Sequence, residues 1–230
     1  PRLSWTAKAT LAGFDPGYLA PDWPGAINGV LQTHGVRRDN GSLLADVEAR
    51  NLGGTLRGRA LRGRGTLNID GDNYAGDVAL SLGGSRIDAR AKIAAGIDIE
   101  ANLSPLQLDD LLPDGRGSMR GMFTLRGART APDVDIDLRG EGVAFGDYRA
   151  EQFIAKGRLP WRTGNGMLAV EAQGLQLGLP LSSLRAGLRG SVERLQFDAD
   201  AQSEFGAVAL RGDANKQGTR WQGALASLQF

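Results

Sequence analysis

Gly65-Thr66-Leu67-Asn68-Ile69-Asp70 alternates apolar and polar residues, and the alternation returns three more times. It runs through Tyr74-Ala75-Gly76-Asp77-Val78-Ala79-Leu80-Ser81-Leu82, then Arg86-Ile87-Asp88-Ala89-Arg90-Ala91-Lys92-Ile93, then Ile97-Asp98-Ile99-Glu100-Ala101-Asn102-Leu103. Side chains of a strand point to opposite faces in turn, so each run carries one apolar and one charged face. The breaks between runs, Gly71-Asp72-Asn73, Gly83-Gly84-Ser85 and Ala94-Ala95-Gly96, have turn chemistry and turn length. The pattern is that of an antiparallel meander with one wet and one greasy face.

Working outward, the same reading predicts strands over most of the chain. Upstream they cover Leu3–Leu11, Ile27–Thr33, Ser42–Asn51 and, more weakly, Thr55–Arg62. Downstream they cover Met119–Arg126, Asp133–Arg139, Val143–Phe145, Tyr148–Leu159, Met167–Ala172, Leu175–Leu179, Ser183–Gly190, Leu195–Gln202, Ala207–Gly212 and Trp221–Gln229. Two short helices interrupt them. Asp15 caps one over Asp15–Ala20, with Pro16 in its first turn; Ser104 caps the other, with Pro105 in its first turn, running to Leu112. Leu19-Ala20-Pro21-Asp22 is matched by Leu111-Leu112-Pro113-Asp114, 92 residues on, in a repeat that continues to Gly29 and Gly121. The expectation is one elongated region over 1–230, with repeat units near 12–104 and 105–230.

Composition narrows the function. Acidic and basic residues number 26 and 27, evenly spread, which argues against nucleic acid as a partner. There is no cysteine, which excludes disulfides and thiolate metal sites. No apolar run approaches the ~18 residues of a membrane helix. Glycine, at 34 residues, is about twice its usual share, and glycine inside strands marks bends and bulges. The chain opens at Pro1 without a methionine and ends within the pattern, so it reads as a piece of a longer protein.

An apolar sheet face must meet apolar material. Two short helices cannot roof about fifteen strands, which leaves a sandwich or β-helix, a closed barrel, or a trough filled from outside. A membrane barrel would need aromatic girdles, and four Trp with three Tyr scattered along the chain supply none. The inward positions mix small residues such as Ala45, Ala49, Ala89 and Ala101 with larger ones, which either leaves room for a guest or accommodates curvature and tight packing. In the first half the lining predicted by phase is Leu43, Val47, Leu67, Ile69, Val78, Leu80, Leu82, Ile87, Ile93, Ile97, Ile99 and Leu103. In the second half it is Met119, Phe123, Leu125, Val134, Ile136, Leu138, Leu168, Val170, Leu184, Leu188, Leu195 and Phe197. The fold class expected is all-β: an elongated, curled antiparallel sheet of about fifteen strands, an open groove like a taco shell, with two short helices. At ~4.8 Å per strand such a track would run roughly 70 Å.

Catalytic and metal chemistry find little support. His34 is the only histidine, placed beside a turn. Asp133, Asp135 and Asp137 share a strand face, but strand neighbours on one face stand almost 7 Å apart, too wide for one calcium ion. Asp109-Asp110 is expected to face water from its helix. Ser85, Ser182 and Ser183 have no patterned base. Gly63-Arg64-Gly65 and Gly115-Arg116-Gly117 lack the Lys-Ser/Thr of a phosphate loop. No cofactor and no metal site is expected.

Asp15-Pro16 ahead of Pro21-Asp22-Trp23-Pro24-Gly25, the Leu111-Leu112-Pro113-Asp114 motif, and the run Arg126-Gly127-Ala128-Arg129-Thr130-Ala131-Pro132 leading into the Asp133 strand resemble the TamB family of the AsmA-like superfamily. Leu138 to Tyr148 and Trp221-Gln222-Gly223-Ala224-Leu225 extend that resemblance over essentially the whole chain. The resemblance implies a periplasmic, mid-chain segment of a protein anchored in the inner membrane of a diderm bacterium, with a TamA-like outer-membrane barrel as partner of the full protein. It implies a taco-shaped sheet and no catalytic residues. Together with the predicted lining, it makes a conduit for phospholipid or another acyl-chain lipid the leading expectation. A scaffold that holds outer-membrane strands by their edges, and a filled structural spacer, are the alternatives.

Overall fold

A computed structural model describes residues 3–229. The fold is all-β, with fifteen antiparallel strands that do not close into a barrel. The chain divides after Pro113 into two compact units. The first holds β1 (Leu3–Phe14), β2 (Gly25–Arg37), β3 (Leu43–Leu56), β4 (Arg59–Asp70), β5 (Asn73–Leu82), β6 (Ser85–Ile93) and β7 (Gly96–Gln107). A single-turn helix, α1 (Leu108–Leu111), follows β7. The second unit holds β8 (Gly115–Ala128), β9 (Ala131–Phe145), β10 (Tyr148–Leu159), β11 (Gly166–Gln176), β12 (Pro180–Ser191), β13 (Arg194–Ser203), β14 (Gly206–Gln217) and β15 (Arg220–Gln229). Within each unit, successive strands pair in chain order.

The turns at Gly71, Gly83 and Gly146 fall where the sequence puts them, but other expectations need correction. Val143–Phe145 is the end of β9 and not a separate strand, and Leu175 and Gln176 are the end of β11, with residues 177–179 in the connection to β12. Thr55–Arg62 is not a strand of its own. Arg57 (φ 51°) and Gly58 (φ 72°) form the tip of a hairpin, with both central residues left-handed as tight hairpin turns require, so β3 runs into the turn and β4 out of it. Ser104-Pro105 does not start a helix. Pro105 lies in β7 after a cis peptide bond, and α1 begins only at Leu108 with Gln107 at its cap. The first helix shrinks to the 3-10 turn Pro16–Tyr18, although Asp15 does cap it by accepting from the Gly17 amide at 2.8 Å. The same carboxylate accepts from the Gly25 amide at 2.8 Å, tying this connection to the start of β2.

A bulge near Asn51 (φ 51°) puts one extra residue in β3 against both neighbours. Bulges bend a strand and re-aim its side chains. Here the phase switches, so that Leu52, opposite Gly63, rejoins the face of Ala45 and Val47.

Glycines on the apolar faces lie under their neighbours' rings. A Cβ on Gly35 would stand 2.2 Å from Cζ2 of Trp5, its cross-strand partner, and one on Gly140 would stand 2.1 Å from Cε1 of Phe153. The Trp5 indole N–H donates to Thr33 Oγ1 at 3.3 Å, which holds the ring along the sheet. The rings therefore lie flat and the face stays low. Gly140→Val is expected to destabilise the second unit by about 1–3 kcal/mol, the cost of overpacking. Gly53→Ala, whose Cβ would meet nothing closer than 3.9 Å, should be nearly neutral. Denaturant midpoints of the two variants measure this; equal midpoints would contradict the ring-over-glycine packing.

Candidate functional site

Directly paired residues of an antiparallel ladder share a face, so the register assigns faces without ambiguity. In the first unit Val47, Leu67, Gly76, Ala91 and Ile99 stand in one row across β3–β7. Beside it run Ala45, Ile69, Tyr74, Ile93 and Ile97, and on its other side Val78 with Ala89 and Ala101. Leu80, Ile87 and Leu103 form the next row, and Leu82 pairs with Leu61 beyond it. Leu43, two residues from Ala45, completes the set. All twelve residues predicted from the first half thus occupy one face of their unit.

The second unit repeats the arrangement. Phe123, Ile136, Gly157, Leu168, Leu188 and Phe197 form one row. Leu138 stands in line with Ala155 and Val170, and Met119 with Gly140, Phe153, Ala172 and Leu184. Leu125 pairs with Val134, and Leu195 with Gly190. The register also adds residues that phase alone missed: Trp5, Leu31, Leu52, Leu61, Phe153 and Leu159 lie on these same faces. Leu52 was hidden by the bulge and Phe153 by the glycines around it. The alternation Phe153-Ala155-Gly157-Leu159 was the available signal.

The faces are only half-covered. Leu67 and Val78, in the middle strands of the first unit, keep 40% and 41% of their surface exposed. A second layer of the kind found in a sandwich would bury such positions almost fully. In the first unit the buried leucines Leu61, Leu82 and Leu103 lie with Leu108 of α1 at one end, and Ala45 and Ala101 are buried as well; the second unit buries Ala131, Leu159, Ala172 and Leu175.

That end is held by a carboxylate expected to face water. Asp110 is 1% exposed. Its Oδ2 accepts from the Gly84 amide at 2.9 Å, the Ser85 amide at 3.0 Å and the Ser85 hydroxyl at 2.7 Å. The Arg59 guanidinium stands 3.4 Å from its other oxygen. Ser85 Oγ in turn accepts from the Gln107 amide at 2.8 Å. Asp109, by contrast, sits at the surface and pairs with Arg59 at 2.6 Å. Arg57 reaches the Asp110 carbonyl at 3.3 Å and lies 5.5 Å from the ring centre of Trp23. One short helix is thereby clamped onto the β5–β6 turn and the β3–β4 hairpin.

The opposite faces are mainly polar, with Met122, Ile154 and Met167 exposed on that of the second unit, and are laced by cross-strand pairs. His34 lies within β2, not beside a turn, and its Nε2 is 2.7 Å from Asp46, directly opposite. Lys156 is 2.6 Å from Asp137, also directly opposite, and the Thr66 hydroxyl donates to Asp77 at 2.7 Å. Hydrogen bonding from Lys156 holds the Asp137 carboxyl below its ordinary pKa, and Arg50 does the same for Glu48. Such exposed pairs add little stability. Of the aspartates on β9, Asp133 does more than face solvent: it accepts from the Trp161 amide at 2.9 Å and pairs with Arg158 at 3.3 Å, anchoring the β10–β11 connection. Among the described residues no helix is long and apolar enough to cross a membrane.

Comparison with known proteins follows the same line. The sequence model of the family described as TamB, N-terminal domain, matches residues 1–230. The translocation and assembly module subunit TamB of Haemophilus influenzae is 22% identical over 234 residues, covering 99% of this chain. The chain spans only 18% of that relative's length. No solved structure matches it.

Proposed function

The chain belongs to the TamB family, and from that premise we propose that its apolar faces are a non-enzymatic track for phospholipid acyl chains in the periplasm, within a protein that links the inner and outer membranes. The observation that supports this reading is the unroofed apolar face of the first unit, where Leu67 and Val78 are still some 40% exposed in mid-sheet; the second unit repeats the same rows of apolar residues. The twenty-four phase-predicted residues are its lining. Acyl chains lie along the rows of Leu, Ile and Val while headgroups stay in water. The driving force is apolar burial, about 0.8 kcal/mol per methylene. The low face kept by Trp5 over Gly35 and Phe153 over Gly140 leaves space for a chain to lie on the sheet. A track of this kind binds equally well along its length, so direction comes from a lipid gradient or from partners of the full protein, a TamA-like outer-membrane barrel among them.

The translocation and assembly role in the relative's name suggests a second use of the same architecture, in which a sheet edge holds an outer-membrane strand by added main-chain hydrogen bonds. The outer edge of β15, exposed at all but one described residue, is the strand that favours it. Mass spectrometry of the purified chain under native conditions separates the two. The lipid reading expects bound phospholipid that organic solvent extracts. Bound peptide with no extractable lipid would overturn it in favour of the edge.

A further inference from the structure

Connections in a meander alternate between two rims, and the rims of the second unit differ in chemistry. The β9–β10, β11–β12 and β13–β14 turns share one rim and carry Phe145, Tyr148, Leu177, Leu179 and Phe205, exposed from 48% at Leu177 to 84% at Phe205. The opposite rim carries Arg129, Thr130, Arg162, Glu193 and Thr219, and is knitted by Glu193, whose carboxylate meets Arg162 at 3.3 Å and whose carbonyl accepts from the Lys216 amide at 2.9 Å. Large apolar side chains at successive hairpin tips are costly in water and mark a contact surface.

Directly beneath the apolar tips lies a cavity of about 600 Å³, within the size range of small-molecule sites. Val143, Leu175 and Leu181 give it an apolar floor. Arg149, next to Tyr148, and Glu204, next to Phe205, join Glu151 on its wall. None of these three charges pairs with another described residue. A purely anionic headgroup would meet two carboxylates and a purely cationic one the guanidinium. A headgroup with both a phosphate and an ammonium satisfies all three.

We propose that this rim cavity is a headgroup site for a zwitterionic aminophospholipid, with phosphate on Arg149, ammonium on Glu151 and Glu204, and acyl chains passing between the apolar tips onto the face of the second unit. The inference rests on the lipid-track reading and deepens it: the rim is where a lipid is selected and laid onto the track.

The test measures binding of three short-chain probes to the full chain by native mass spectrometry or calorimetry: dioctanoyl phosphatidylethanolamine, dioctanoyl phosphatidylglycerol and dioctanoylglycerol. The wild-type chain should prefer phosphatidylethanolamine over phosphatidylglycerol by roughly threefold or more, the scale of an exposed charge pair. Glu151→Gln with Glu204→Gln should abolish that preference, and Arg149→Gln should weaken both phospholipids alike, with dioctanoylglycerol binding unchanged in every variant. Wild-type binding without preference, or a preference that survives the double substitution, would overturn the headgroup site and leave the track standing. Failure of all three probes to bind would overturn both.

Discussion

Asp110→Ala should cost the first unit about 3–5 kcal/mol, because two buried donors of Ser85 and the part-buried Gly84 amide lose their acceptor at once. The Gly84 amide, the Ser85 amide and the Ser85 hydroxyl all converge on one oxygen of Asp110, which is itself 1% exposed. A loss of that size is a large share of the 5–15 kcal/mol typical of a folded domain. It should free α1 and uncover Leu61, Leu82 and Leu103. Hydrogen exchange at Gly84 and Ser85 reads the effect locally, and a denaturant midpoint reads it for the unit. Asp109→Ala, one residue away, removes only a surface pair with Arg59 and should change little. Equal effects from the two substitutions would contradict the clamp.

Ile136→Arg should cut phospholipid binding at least ~tenfold, which is ~1.4 kcal/mol, while leaving the sheet folded. Ile136 sits in mid-row between Phe123 and Gly157 on the apolar face of the second unit. A guanidinium there stays hydrated by reaching along the half-open face, so folding survives, but an acyl chain can no longer lie across it. Leu80→Arg should act likewise in the first unit. Thr124→Arg and Ser81→Arg add the same charge to the polar face and should leave binding intact. Circular dichroism shows whether the strands persist, and co-purified lipid shows whether the track is blocked. Equal loss from the polar-face substitutions would mean that charge, not face, controls binding.

The strands and their faces were legible because strand periodicity is local: Val78-Leu80-Leu82 and Val134-Ile136-Leu138 announce their phase within a few residues. What sequence could not supply was anything decided by a distant partner. Which of two adjacent aspartates is buried depends on Ser85 and Arg59, 25 and 51 residues back. The Leu-Asp-Asp-Leu stretch by itself treats them alike. The bulge at Asn51 shifts phase by one and conceals Leu52, and the hairpin tip at Arg57-Gly58 falls inside Thr55–Arg62, which by itself looks like a separate strand. Pro105 has the chemistry of a helix start, yet it continues β7. The ring-over-glycine pairs were illegible for the same reason, since Phe153 meets Gly140 only once the register of β9 and β10 is known.

Photoreactive residues placed one at a time at Leu80, Ile136, Asp77 and Asp135 put the lipid track to its most direct test, because Leu80 and Asp77 lie on opposite faces of β5, and Ile136 and Asp135 on opposite faces of β9. Irradiation in the living envelope, followed by mass spectrometry of the adducts, should recover phospholipid from Leu80 and Ile136 and none from Asp77 and Asp135. Lipid captured only from the two aspartate positions would contradict the account.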